Sequence, residues 1–289
     1  MKNKTTLHGY TFMAPAIILL GIFVVFPIFF ALFLSLNKVY LLGGMHFQFR
    51  GLSNYRKIFL DSRVLIAFEN TFRYVIIVVP CQTILALILA ASLNAGFKCQ
   101  KAFRILFFLP TLTSSAVLTL IFMWMYNQNG LINHFLAIVH LPTYDWLGNP
   151  KVSLIAIMIM NIWSTAPFFM VIYLAAMQDI PKTRYEAAEI DGCGAFKKFL
   201  YITIPALKPI TAFVVIMGII GTFQLFDQSF IFSGGTGGPN NSTLTVVLLV
   251  YQYAFENFGT MGCAAALAFI LAIVILIATL IQRRLMKED

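Results

Sequence analysis

Six long apolar runs alternate with shorter polar stretches along the chain. They are Met13–Leu36, Tyr74–Leu93, Ile105–Tyr126, Ser153–Met177, Leu207–Phe232 and Met261–Gln282. Each has about the twenty residues that a helix needs to cross the hydrocarbon of a bilayer. None shows the alternation of a membrane barrel strand, and an open sheet would leave backbone groups unpaired in lipid. The pattern therefore predicts an all-α integral membrane protein, a single domain over 1–289 with six transmembrane helices.

The polar stretches differ in kind. Between the fourth and fifth runs lies an island over about 178–206 that cannot sit in lipid. Pro181-Lys182-Thr183-Arg184-Tyr185 opens a helix, with proline tolerated in the first turn and Thr183 able to cap. Glu186, Glu189 and Asp191 give that helix an acidic side, while Ala187 and Ala188 leave a surface that a groove can approach closely. Gly192 and Gly194 permit a sharp turn, and Phe196-Lys197-Lys198-Phe199-Leu200 begins a second short helix. This is a surface helix–turn–helix that another protein can grip, so the chain reads as a membrane subunit that receives a mechanical push. On the other side of the membrane, Asn37–Arg73 spaces aromatic and charged residues as an interfacial amphipathic helix does. Asn127–Pro150 is rich in Asn, Gly and Pro, and Ser233–Pro239 is a glycine-rich turn.

Composition agrees with the pattern. Hydrophobic residues make up 60% of the 289 and charged residues 11%, with a mean hydropathy of +0.86; soluble domains carry roughly twice that charge. The net charge of +9 would suit nucleic acid, but its distribution fits membrane topology instead. With the N-terminus inside, Lys2, Lys4, Lys98, Lys101, Arg104, Lys182, Arg184, Lys197, Lys198, Lys208, Arg283, Arg284 and Lys287 are cytoplasmic. Lys38, Arg50, Arg56, Lys57, Arg63, Arg73 and Lys151 are external. The inside excess predicts both termini in the cytoplasm and no nucleic-acid partner. The first run exceeds a signal peptide's apolar core and reads as a retained anchor. Cys81, Cys99, Cys193 and Cys263 are scattered, without the pairing of a disulfide framework or zinc site. His8, His46, His134 and His140 read as surface or interface residues. No phosphate-binding loop, zinc-protease or serine-hydrolase motif is present, so the chain is expected to be no enzyme.

Glu186-Ala187-Ala188, Gly192, Ile202 and Pro205 fall at the spacing E-A-A-x3-G-x9-I-x-L-P. In this signature the chain resembles the permeases of binding-protein-dependent ABC importers, with Ile204 replacing the usual leucine. Gly51-Leu52-Ser53-Asn54-Tyr55, Asn70-Thr71, Asn161-Ile162-Trp163, Pro167, Gly237-Gly238-Pro239, Thr243, Tyr251 and Phe255 resemble the carbohydrate-uptake branch, the MalF/UgpA-like permeases, over nearly the whole chain. The resemblance implies a type I importer permease fold in a bacterial or archaeal cytoplasmic membrane. It implies a second related permease in a heterodimer, two ATPase subunits that hold the ATP and magnesium, and an extracellular or periplasmic solute-binding protein. It assigns ATPase coupling to Glu186, Ala187, Ala188, Glu189, Asp191 and Gly192, and implies sugars or oligosaccharides as cargo. Glycerol-phosphate, polyols or another small polar solute remain open, as does a self-sufficient secondary transporter.

Polar groups inside membrane helices face a bundle interior or a wet cavity. Asn161, Ser164, Thr165 and Phe168 fall at i, i+3, i+4 and i+7, one helix face. The resemblance assigns that stretch to the sugar pathway. Gln224, Asp227 and Gln228 are expected to share a face of the fifth helix with Phe223 and Phe226 beside it. The expected substrate pathway is thus Asn161, Ser164, Thr165, Phe168, Phe223, Gln224 and Asp227. Interhelical hydrogen bonding is the alternative role for Asn161 and Gln224, and pairing with Arg73 or the backbone the alternative for Asp227.

Overall fold

The computed structural model describes residues 12–40, 46–96, 100–257 and 259–286. The expectations for Lys2, Lys4, His8, Lys98, Cys99 and Lys287 lie outside them. Helices dominate, and the spans begin with α1 (Phe12–Ser35), which contains a π-helical stretch at Gly21–Val25. A hairpin follows, β1 (Asn37–Tyr40) paired antiparallel with β2 (His46–Phe49). Next come α2 (Ser53–Leu60) and α3 (Ser62–Asn94). At 33 residues α3 is about 50 Å long, and it starts twelve residues before the apolar run at Tyr74. The charges that seemed to end the run are accommodated on its exposed first turns, where Arg73 pairs with Glu69 one turn back.

The third span corrects the sequence reading. The run Ile105–Tyr126 is not one helix but two, α4 (Gln100–Leu112) and α5 (Ser115–Met125), bent by 99° at the break. Ser114 adopts an extended ψ of 136° there. Pro110 lacks an N–H and lies just upstream, one of the recognised causes of a broken helix. After the short α6 (Leu131–Ile138) comes α7 (Ser153–Gln178), then α8 (Lys182–Ile190) and α9 (Ala195–Lys198).

The fifth span is also interrupted, into α10 (Lys208–Phe223) and α11 (Asp227–Ser233), where Gln224 and Phe226 leave helical geometry. An apolar helix that the sequence reading took for part of an external segment, α12 (Val246–Glu256), precedes the last span, α13 (Met261–Leu285).

Among the described residues the chain divides into two compact units. The first comprises the residues up to Val64 with Leu249–Ile270; the second comprises Leu65–Leu248 with the residues from Leu271 onward. In the first unit Asn54 ties three elements together: its Nδ2 donates to the carbonyls of Ser35 (2.8 Å) and Asn37 (2.9 Å). Tyr55 donates to Ser35 Oγ at 3.0 Å. Asp61 accepts hydrogen bonds from Arg63 and Tyr253. Burial pushes its pKa up, but those bonds and the Arg63 charge outweigh it and hold the carboxyl below its ordinary value.

Among the described residues the second unit gathers two apolar clusters. One gathers Tyr74, Val78, Phe122, Tyr126, Ile157 and Met160; the other gathers Ala86, Ala90, Phe169, Met170, Tyr173 and Val214. Small residues on α3 let neighbouring helices approach closely. The run Asn70-Thr71 straps a loop: Asn70 Nδ2 donates to the carbonyls of Asn241 and Leu244, and Thr71 Oγ1 accepts from the Val246 N–H.

Candidate functional site: a polar cavity and an exposed lever

The two interrupted spans meet at a cavity of about 250 Å³. Irregular backbone at membrane depth is tolerated where it lines a cavity, because groups released from the helix ladder then find other partners. The walls come from α3 (Tyr74, Gln82), the start of α5 (Ser115), α7 (Asn161, Thr165, Phe169), α10 (Met217, Gly218, Gly221, Thr222) and the break with its sequel (Gln224 to Gln228). Gln228 Nε2 donates to Ser115 Oγ at 3.0 Å, joining the two broken spans at the cavity.

The expected face of α7 divides between two cavities. Asn161 and Thr165 line this one; Ser164, Thr165 and the half-exposed Phe168 line an adjoining cleft of about 290 Å³. Ser115, Thr165, Phe169 and Gln228 wall both. Gln224 and Asp227 line the first, but not as one helix face, since the break separates them. Phe223 is corrected outright. It is 1% exposed and packs edge-on against Phe72, with ring centroids 5.4 Å apart, so it is core rather than cavity wall. The pairing of Arg73 with Asp227 is not made either, because Arg73 is engaged by Glu69 at 2.5 Å.

Gln82 was missed from sequence. Thr165 Oγ1 lies 2.8 Å from Gln82 Oε1 and 2.7 Å from the Asn161 carbonyl oxygen, so its one hydrogen serves either. Among the described residues Gln82 Nε2 is buried without a hydrogen-bond partner, as is the Tyr74 hydroxyl on the same cavity wall. Opposite stands Gly218, where a Cβ would come within 2.6 Å of Gln82 Nε2. Tyr74 and Gln82 are eight residues apart on α3, about two turns and so on one face. That spacing is the only sequence signal that pairs them.

The second candidate is the island 182–198. No residue of α8 or α9 is buried. The N-terminal cap of α8 is Pro181, without a side-chain hydrogen bond, so Thr183 does not cap as expected. Gly192 turns the chain at φ +73°, a left-handed conformation that favours glycine. Lys198 Nζ reaches Glu189 at 3.4 Å across the turn, and the Tyr185 hydroxyl bonds Thr203 Oγ1 at 2.8 Å, tying α8 to the base of the fifth span. Glu186, Ala187 and Asp191 are exposed, and two large apolar side chains stand out beside them, Ile190 at 88% and Phe196 at 76% exposure. Exposed apolar groups on a short, braced helix pair are the shape of a protein-docking knob.

Of the thiols, Cys81 is exposed, Cys193 half-buried and Cys263 buried. Among the described residues no group of His, Cys, Asp or Glu is arranged to hold a metal ion.

Among the described residues, five apolar spans and a bent sixth, a polar cavity at the broken spans, and an exposed helix pair define a multi-pass membrane permease. The chain belongs to the family described as binding-protein-dependent transport system inner membrane component, whose model matches residues 82–287. It is 35% identical to the lactose transport system permease protein LacF of Rhizobium radiobacter, over 98% of this chain and 95% of that one. It is 34% identical to the multiple sugar-binding transport system permease protein MsmF of Streptococcus mutans, over 97% and 95%. With the arabinooligosaccharides permease AraP of Bacillus subtilis it shares 32% over 96% and 87%. Its fold is similar to a chain in the crystal structure of a bacterial alginate ABC transporter in complex with a pentasaccharide-bound periplasmic protein. The TM-score is 0.85 at 20% identity, covering 99% of this chain and 97% of that one.

Proposed function

We propose that this chain is one permease of an ATP-driven importer for sugars or oligosaccharides, and that its helix pair at 182–198 couples a separate ATPase to alternating access. The observation that carries the proposal is the lever itself. Glu186, Ala187, Ala188, Glu189, Asp191 and Gly192 stand on an exposed, internally braced helix and turn, with Ile190 and Phe196 projecting beside them. A rigid helix pair bonded to the foot of a membrane span can pass a displacement into that span. In this reading the cavity is the sugar pathway, with Asn161, Thr165, Gln224 and Asp227 on its wall and Ser164 and Phe168 in the adjoining cleft.

The reading includes a second related permease in a heterodimer, two ATPase subunits that bind ATP and magnesium, and an extracellular or periplasmic solute-binding protein. This chain binds no cofactor itself. It lies in a bacterial or archaeal cytoplasmic membrane with both termini inside. Sugar uptake is supported by relatives named as permeases for lactose, arabinooligosaccharides and multiple sugars.

The test is the double variant Glu186→Lys, Gly192→Trp. It is expected to insert normally in the membrane while losing uptake and the coupling of ATP hydrolysis to it. Normal uptake by this variant would contradict the coupling role.

A further inference from the structure

The charge of the cavity wall has a consequence for which sugars pass. Asp227 is the one charged side chain among the fifteen residues that line the cavity, and the adjoining cleft is lined by uncharged residues alone. Among the described residues no lysine, arginine or histidine lines either space. Among the described residues no hydrogen bond or ion pair engages the exposed Asp227 carboxylate. Arg73, the cation that the sequence offered as its partner, is held by Glu69. The rest of the wall is neutral: the amides of Gln82, Asn161, Gln224 and Gln228 and the hydroxyls of Tyr74, Ser115, Thr165 and Thr222. Such groups match the donors and acceptors of sugar hydroxyls.

We propose that this cavity is built for uncharged sugars and that Asp227 makes it reject anionic ones such as uronates and sugar phosphates. The proposal rests on the reading of the cavity as the sugar pathway. An anionic sugar would bring a second negative charge into a narrow, partly apolar space that offers no counter-ion. At about 6 Å separation and an effective dielectric of about 20, like-charge repulsion corresponds to a roughly 100-fold loss of affinity, and about tenfold if water screens it more fully. Neutral sugars do not meet this barrier; their hydroxyls can donate to the carboxylate.

Asp227 also opens α11, where an acidic residue complements the positive end of the helix. A purely structural role would harm neutral and anionic sugars alike, so the ratio of the two separates the roles.

The test uses the whole importer, this chain with its partner permease and ATPase in nanodiscs, and two matched probes. The α-1,4-linked galactobiose and digalacturonate differ only at C6 of each residue, a hydroxymethyl in one and a carboxylate in the other. Titration calorimetry on the wild type is expected to show at least about tenfold tighter binding of galactobiose. Asp227→Asn is expected to close most of that gap by improving digalacturonate, and Asp227→Glu to keep it. Equal affinities in the wild type, or a gap that Asp227→Asn leaves unchanged, overturn the proposal. So does equal loss of both probes in Asp227→Asn and Asp227→Glu, which makes Asp227 a structural residue of α11. If the wild type binds neither galactobiose nor lactose, maltose or arabinobiose, the sugar-pathway reading itself fails.

Discussion

Single residues carry the cavity, and Gln82 is the most constrained of them. It bonds Thr165 from a position 83 residues away, and its other end lies against the backbone of α10 at Gly218. Alanine at 218 would favour the helix by about 1 kcal/mol, but its Cβ would push the Gln82 amide off the wall. Gly218→Ala is therefore expected to leave expression intact and lower sugar uptake about fivefold, the equivalent of one hydrogen bond of ~1 kcal/mol. Adding Gln82→Ala removes the collision, so the double variant should transport no worse than Gln82→Ala alone. Additive losses would show that the two positions act independently. Asn161 and Thr165 were legible in sequence because both sit on one helix at a known spacing. Gln82 was not, since a glutamine within an apolar run looks the same whether it meets a neighbouring helix or a cavity. Phe223 failed for the complementary reason: helical spacing places it beside Gln224, but the backbone breaks at that point and turns its ring to Phe72.

Elements were legible where the apolar period ended in strong signals, and illegible where it did not. Serine and aspartate bracket α7, and its ends fall within a residue of the apolar run. The breaks at 113–114 and 224–226 are hidden because each lies inside a run whose total length suits one membrane-spanning helix. Pro110 and the Thr-Ser-Ser run were the only hints of the first. The helix α12 was missed since its apolar stretch is too short to span. The hairpin β1–β2, with α2 and α13, shows how closely elements pack in the first unit. A Cβ on Gly262 would collide with the Asn37 carbonyl oxygen and come within 2.6 Å of Asn54 Nδ2. The backbone oxygen cannot swing aside as a side chain can. Gly262→Ala is expected to destabilise by about 1–3 kcal/mol, the usual penalty for overpacking, and to lower the thermal unfolding midpoint in detergent. An unchanged midpoint would show that α13 and the hairpin can separate without loss.

At the scale of the whole molecule, the membrane class follows from composition and run length alone, and the family from one motif in the polar island. On the proposed reading the island docks on another chain, which this sequence does not contain. Ile190 and Phe196 show only as exposed apolar groups here, and α1 has none of its apolar window buried. The proposed reading makes this chain a permease driven by a separate ATPase, and this is the central claim. The most direct measurement is to purify the tagged chain in mild detergent and identify its companions by mass spectrometry. The account predicts a second six-span permease and an ATPase in stoichiometric amounts, with the ATPase lost from the Glu186→Lys, Gly192→Trp variant. A chain that purifies alone, stays folded and moves sugar without ATP would contradict it.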